Sequence, residues 1–167
     1  MQAVFHYSSP LGGITAAGGE KGLCGLWFDG QKYFGSTLAP EREEGDLPLF
    51  RALGAWLDRY FSGRDPGPCP PLDLKGTPFQ LAVWAALQNI PYGRVITYGE
   101  LAGEIEARTG KKTSPRAVGA AVGRNPLSLL VPCHRVVGRA GLTGYAGGLD
   151  KKRALLELEG APLPRLT

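Results

Sequence analysis

Hydrophobic and polar positions follow two different periods along the chain. Between Ile14 and Gly30, ITAAGGEKGLCGLWFDG sets small and apolar residues between glycine pairs, with aromatic residues near its end, and predicts two short strands joined as a hairpin. The next pattern is helical. In LFRALGAWLDRYFSG, Leu49, Phe50, Leu53, Leu57, Tyr60 and Phe61 recur at helical spacing, and Gly63 follows as a C′ stop. Gly63 to Gly76 is dense in Pro and Gly and predicts a linker. In TPFQLAVWAALQNI, Thr77 is a cap, Pro78 the first helical residue and Gln80 the closure of a capping box, with Phe79, Val83, Ala86, Leu87 and Ile90 as the apolar stripe. A short β-prone segment and a second capping box, Thr97 to Glu100, open the next helix in PYGRVITYGELAGEI. A third short helix begins at the Ser114 cap with Pro115 and Arg116, and ends at Asn125 before Pro126. VPCHRVVG reads as an apolar, strand-like run, and KKRALLELEG as a final helix.

These elements predict a mixed α/β chain in two parts. Residues 1–70 form a small sheet with one helix plus the linker, and residues 71–167 carry two short capped helices joined by a Gly- and Lys-rich connector, the pattern of a helix-turn-helix. Charge follows the same division. Residues 1–74 hold 6 Lys/Arg against 9 Asp/Glu, and residues 75–167 hold 13 against 6, so a net +4 conceals a basic second part suited to a polyanion. The second helix of the pair is unusual for a DNA reader. Ala117, Gly119, Ala120, Ala121 and Gly123 give it almost no bulk, so it suits close approach to a backbone or minor groove more than the reading of base edges; packing of the small face on a neighbouring helix is the alternative.

Composition removes several classes. No apolar run is long enough to span a membrane, and MQAVFHYSSP lacks the basic and apolar regions of a signal peptide, so a cytoplasmic protein is expected. Cys24, Cys69 and Cys133, odd in number and widely spaced, with only His6 and His134 beside them, give neither a disulfide framework nor a zinc site; no metal or organic cofactor is expected. What remains is Cys133 beside His134. If Pro132 breaks a regular strand, the imidazole, directly or through a water, can take the thiol proton and leave a nucleophilic thiolate. A carboxylate that fixes the imidazole completes such a site, and Glu159, on the apolar side of the final helix, is the candidate.

The order GTPFQLAVWAALQNIPYG, ITYGELA, RAVGAAVGRNP, PCHRVVG and GYAGGLDKKRALLELEG closely resembles the O6-alkylguanine-DNA alkyltransferase family of DNA repair proteins, almost unbroken from Gly76 to Gly160. SPLGGITAAGGEKGLCGLWF resembles its N-terminal domain more weakly. The resemblance implies a ribonuclease H-like N-terminal domain and a winged helix-turn-helix C-terminal domain. It further implies that Cys133 takes the alkyl group irreversibly, with His134 as base through a water, Glu159 as its orienting carboxylate, and Tyr145 donating to N3 of the guanine. Arg116 would fill the gap left by a flipped nucleotide, and Tyr98 would press on the adjacent phosphate. Arg124, Arg135, Lys111 and Lys112 would attract phosphates, and Ala117, Gly119 and Ala121 would lie against the minor groove. Asn125 would act as a hinge, with Val136, Ala146 and Gly147 lining the pocket. The implied partner is double-stranded DNA containing O6-alkylguanine, bound by a monomer. The rival readings are a lesion-binding protein without transfer, a helix-turn-helix regulator that uses Cys133 as a sensor, and a thiol hydrolase.

Overall fold

A computed structural model describes residues 2–39, 42–139, 141–142 and 144–162. Three strands, Gln2–Ser9 (β1), Gly12–Gly19 (β2) and Gly22–Phe28 (β3), run as an antiparallel meander, and Arg42–Glu44 (β4) pairs in parallel with β1, giving the order β3-β2-β1-β4. The hairpin expected between Ile14 and Gly30 is β2–β3. β1 is an addition: Phe5-His6-Tyr7-Ser8 alternates between half-buried and exposed positions, a period-2 signal that the sequence reading passed over. The first helix, α1 (Pro48–Phe61), lies on this sheet. Phe50 stacks on Phe5 of β1 with ring centroids 5.3 Å apart, and a Cβ at Gly18 of β2 would stand 2.9 Å from the Leu49 side chain, so small residues in β2 admit the helix. Gly63 follows with φ +85°, the left-handed stop that its position predicts.

The exposed edge of β3 is occupied by two returning segments. Leu23 exchanges backbone hydrogen bonds with Pro71 and Asp73 at 2.9 and 2.7 Å, and Leu26 with Pro126 and Ser128 at 2.8 and 3.0 Å. An edge that would otherwise offer unpaired N–H and C=O groups is thereby covered. Gly22 permits the first contact: it holds φ +133°, and a Cβ there would lie 2.5 Å from the Pro71 carbonyl oxygen. The end of the expected linker is therefore sheet edge. The chain divides after Lys75 rather than after residue 70, and Pro126–Leu130 belongs with the first unit although it lies far along the second part of the sequence.

In the second unit, α2 (Pro78–Leu87), α3 (Tyr98–Thr109) and α4 (Pro115–Gly123) start where their caps predict. Both capping boxes are complete, with Thr77 Oγ1 and Thr97 Oγ1 each accepting from the backbone N–H three residues on at 3.1 Å. Ser114 Oγ accepts from Ala117 N at 3.1 Å. Val83, Trp84, Leu87, Leu101, Ile105, Val118 and Val122 are buried as the core of the three helices. Trp84, outside the expected stripe, donates its indole N–H to the Ala121 carbonyl at 2.9 Å, fixing α2 to α4. Ile96–Thr97 (β5) and Val136–Val137 (β6) form a two-stranded parallel sheet, which sets the start of α3 beside the PCHRV segment. The last helix, α5 (Leu149–Glu159), packs Leu156 against Val137 and Ala161. Among the described residues no helix is long and apolar enough to cross a membrane.

Candidate active site

Cys133 opens a short 3-10 turn, Cys133–Arg135, where the apolar run predicts a strand. Pro132, at φ −79° and ψ 67°, breaks the extended chain, and Cys133 N–H bonds back to the Val131 carbonyl at 2.7 Å. The tight turn removes the alternation that would send neighbouring side chains to opposite faces, so Cys133 and His134 are both buried, at 6% and 0% exposure. Sequence neighbours thus share one interior. Asn125, at the end of α4, is buried too; its amide donates to the Val131 carbonyl at 2.8 Å and also hydrogen-bonds the Cys133 thiol. The expected hinge residue is therefore a brace for the segment that delivers the thiol.

Glu159 organises the rest. His134 Nε2 lies 2.5 Å from Glu159 Oε2, while Oε1 accepts from Arg135 Nε at 2.8 Å and from Gly93 N at 3.1 Å. Burial works to raise the Glu159 carboxyl, but His134 and Arg135 outweigh it and hold the group at about 2. An ionised carboxylate only accepts hydrogen bonds, so Nε2 of a neutral His134 carries the proton and Nδ1 is the basic nitrogen. Burial keeps His134 neutral by lowering its pKa against the Glu159 bond, and the positive charges of Arg135 and Lys152 act in the same direction as burial. The Cys133 thiol is pushed up by burial, opposed by the Asn125 bond and the Lys152 charge. The resting pair is thus thiol and neutral imidazole.

Lys152 is a buried cation beside this site that the sequence reading missed. Fully buried, it donates to the Gly144 carbonyl at 2.9 Å and stands 5.9 Å from the Tyr98 ring centroid, and burial lowers it to about 8 even though the nearby Cys133 works to raise it. In the sequence it stands within the basic run Lys151-Lys152-Arg153. The better signal was spacing, since Lys152, Leu155, Leu156 and Glu159 follow i, i+3, i+4, i+7 and are the buried residues of α5.

The other candidates divide by exposure. Arg116, Ala117 and Arg124 of the α4 region are exposed and Gly119 is half-buried against Tyr98, whose ring a Cβ at Gly119 would meet at 3.6 Å. Ala121 corrects the expectation of a groove contact: it is 4% exposed, because it faces Trp84 of α2. Arg135 is a second correction. Expected to attract phosphate, it is 8% exposed and its guanidinium is taken up by Glu159 and by the Ile90 carbonyl at 2.8 Å. Tyr145 buries its hydroxyl, Val136 is fully buried, and Ala146 and Gly147 are half-buried. Ala140 and Thr143 lie outside the described residues. An open cavity of about 740 Å³ is lined by Thr97, Tyr98, Gly99, Glu100, Pro115 and Arg139, where α3 and α4 begin. No group of three or more His, Cys, Asp or Glu among the described residues is arranged to hold a metal ion.

Comparison with known proteins accounts for both units. Residues 78–161 match the model of the 6-O-methylguanine DNA methyltransferase DNA binding domain, and residues 6–68 that of its ribonuclease-like domain. The chain is 43% identical over 167 residues to a methylated-DNA–protein-cysteine methyltransferase of Mycobacterium bovis, covering 96% of each, and 40% identical over 158 residues to one of Saccharolobus islandicus, covering 95% of each. Its fold matches the crystal structure of Mycobacterium tuberculosis OGT in complex with DNA, with a TM-score of 0.82 at 42% identity over 96% of this chain and 95% of that one. The chain belongs to the 6-O-methylguanine DNA methyltransferase family.

Proposed function

We propose that this protein repairs O6-alkylguanine in duplex DNA by transferring the alkyl group to Cys133. The observation that carries the reading is a buried thiol held by Asn125, beside an imidazole whose Nδ1 is left as the base by the Glu159 bond. His134 takes the thiol proton through one water, and Glu159 balances the imidazolium that results. The thiolate then attacks the alkyl carbon. A sulfur–carbon bond forms as the carbon–O6 bond breaks, and the electron pair leaves on the guanine. The Tyr145 hydroxyl, donating to N3, and the Lys152 ammonium lessen that charge as it develops. The product is a thioether, which cellular thiols do not reverse, so each molecule reacts once.

Burial of Cys133 sets the DNA step. A stacked base cannot present its O6 substituent to a thiol that is 6% exposed, so the nucleotide must be flipped out, at a cost of a few kcal/mol. Arg116 fills the vacated stack, Tyr98 presses on the neighbouring phosphate, and exposed Arg124, Lys111 and Lys112 hold the backbone. The short side chains of Ala117 and Gly119 suit a minor-groove approach that reads little sequence. We take the protein to act as a monomer in the cytoplasm, where its three free cysteines stay reduced.

A duplex with one O6-methylguanine, titrated with protein, should regain guanine up to one equivalent per protein. Repeated turnover would contradict the account, and so would binding without repair. Arg116→Ala should slow repair of the duplex by roughly tenfold, the value of one good DNA contact, while reaction with free O6-methylguanine stays nearly unchanged. Equal losses on both substrates would remove Arg116 from the flipping step.

A further inference from the structure

We propose that Arg135 is a positioning residue of the alkyl transfer, taking one carboxylate oxygen of Glu159 while His134 takes the other, and so holding the imidazole as a neutral base with its lone pair on Nδ1. The inference rests on the roles of Cys133 and His134 given above. Four observations converge on it. Arg135 Nε donates to Glu159 Oε1 at 2.8 Å, its Nη1 donates to the Ile90 carbonyl at 2.8 Å, and its guanidinium lies 5.7 Å from the Tyr92 ring centroid. The same Oε1 accepts from Gly93 N at 3.1 Å, so Arg135 and Gly93 pin the carboxylate to the turn after α2. Glu159 is left with one oxygen in one orientation for His134.

Stability alone does not account for this arrangement. A buried ion pair is often replaceable by apolar side chains without loss, because desolvation offsets the attraction. Charge does account for it. A buried imidazole bonded to an otherwise unpaired carboxylate tends to hold a second proton and cannot then act as a base. The charged groups that act on His134 are Glu159 and Lys152 from α5 and Arg135 from its own turn, whose Cys133 thiol bonds the His134 backbone. Arg135 offsets the Glu159 charge and adds to the burial that keeps the imidazole neutral.

The test compares the full-length protein with R135M and R135K by the pH dependence of Cys133 alkylation with iodoacetamide and of methyl transfer from a duplex containing O6-methylguanine. In R135M the midpoint of the rising limb should move up by about one pH unit, since loss of the cation raises the imidazole, and transfer at neutral pH should fall about tenfold. R135K should keep the midpoint near that of the unmodified chain while transfer slows, because the charge stays and the fork is lost. An unchanged midpoint in folded R135M would overturn the proposal. If R135M does not fold, a midpoint in R135K displaced by a full unit, or transfer by R135K as fast as by the unmodified chain, would overturn it, and an unmoved midpoint with slowed transfer would support it. A shifted iodoacetamide profile, with no methyl transfer by the unmodified protein, would uphold the role of Arg135 and refute the repair function instead.

Discussion

Replacing Glu159 by Gln is expected to slow methyl transfer at neutral pH by roughly a thousandfold and to destabilise the fold by about 3 kcal/mol or more. The kinetic loss follows from orientation. Gln presents one oxygen and one NH2 where the carboxylate presents two acceptors, so His134, Arg135 and the Gly93 N–H cannot all be satisfied, and the imidazole can take the wrong tautomer. The stability loss follows from Arg135, which is left buried with a charge that nothing balances. The pH dependence has a fixed sign. The Glu159 carboxyl is held at about 2 in the folded chain against 4.5 ordinarily, which corresponds to about 3 kcal/mol. That contribution is complete above 4.5 and lost as pH falls through about 2. His134 acts with the same sign: its pKa is lowered from 6.5, so its contribution is complete above that value and falls with pH below it. Urea denaturation across the acid range should therefore show a steep loss in the unmodified protein and a shallower one in E159Q. Parallel curves would show that the carboxylate carries none of this dependence.

Replacing Lys152 by Met is expected to do the reverse to stability while also impairing chemistry. The Lys152 ammonium is lowered from 10.5 to about 8 by burial, so holding it charged costs about 3 kcal/mol. The cost is present below pH 8 and relieved as pH rises towards 10.5. Met removes that cost but leaves the Gly144 carbonyl without this donor, a loss of about 1 kcal/mol, so a net gain of about 1–2 kcal/mol is expected at neutral pH. Transfer should fall by roughly a hundredfold, because the thiolate and the leaving guanine both lose the adjacent cation. A more stable and slower protein would mark Lys152 as a group kept for reaction. A variant less stable than the original, with unchanged transfer, would make it a structural residue.

The helices of the second unit were legible because their signals are local. Thr77, Thr97 and Ser114 cap where side-chain oxygens meet free N–H groups within three residues, and tertiary contacts do not alter that geometry. Cys133, His134 and Glu159 were legible as a group through a residue pattern and a family resemblance. What the sequence concealed depends on distant partners. Arg135 reads as one more cation until Glu159, 24 residues later, is seen to take it. Lys152 lies in a basic run, and only the helical stripe it shares with Leu155, Leu156 and Glu159 distinguishes it from its neighbours. The return of Pro126–Leu130 to the edge of β3 has no local signature at all, since backbone pairing is indifferent to side chain. The 3-10 turn at Cys133 was hidden for a different reason: VPCHRVVG has the composition of a strand, and Pro132 alone signals the bend.

Methyl transfer to Cys133 is the claim on which the rest depends. Incubating the protein with a duplex containing one O6-methylguanine, digesting it and weighing the peptide that contains Cys133 tests it directly, with C133A as control. One added methyl on Cys133, at no more than one per protein and with guanine restored in the DNA, is the result expected. Guanine restored by C133A, or a methyl found on Cys24 or Cys69 with Cys133 unmodified, would contradict it.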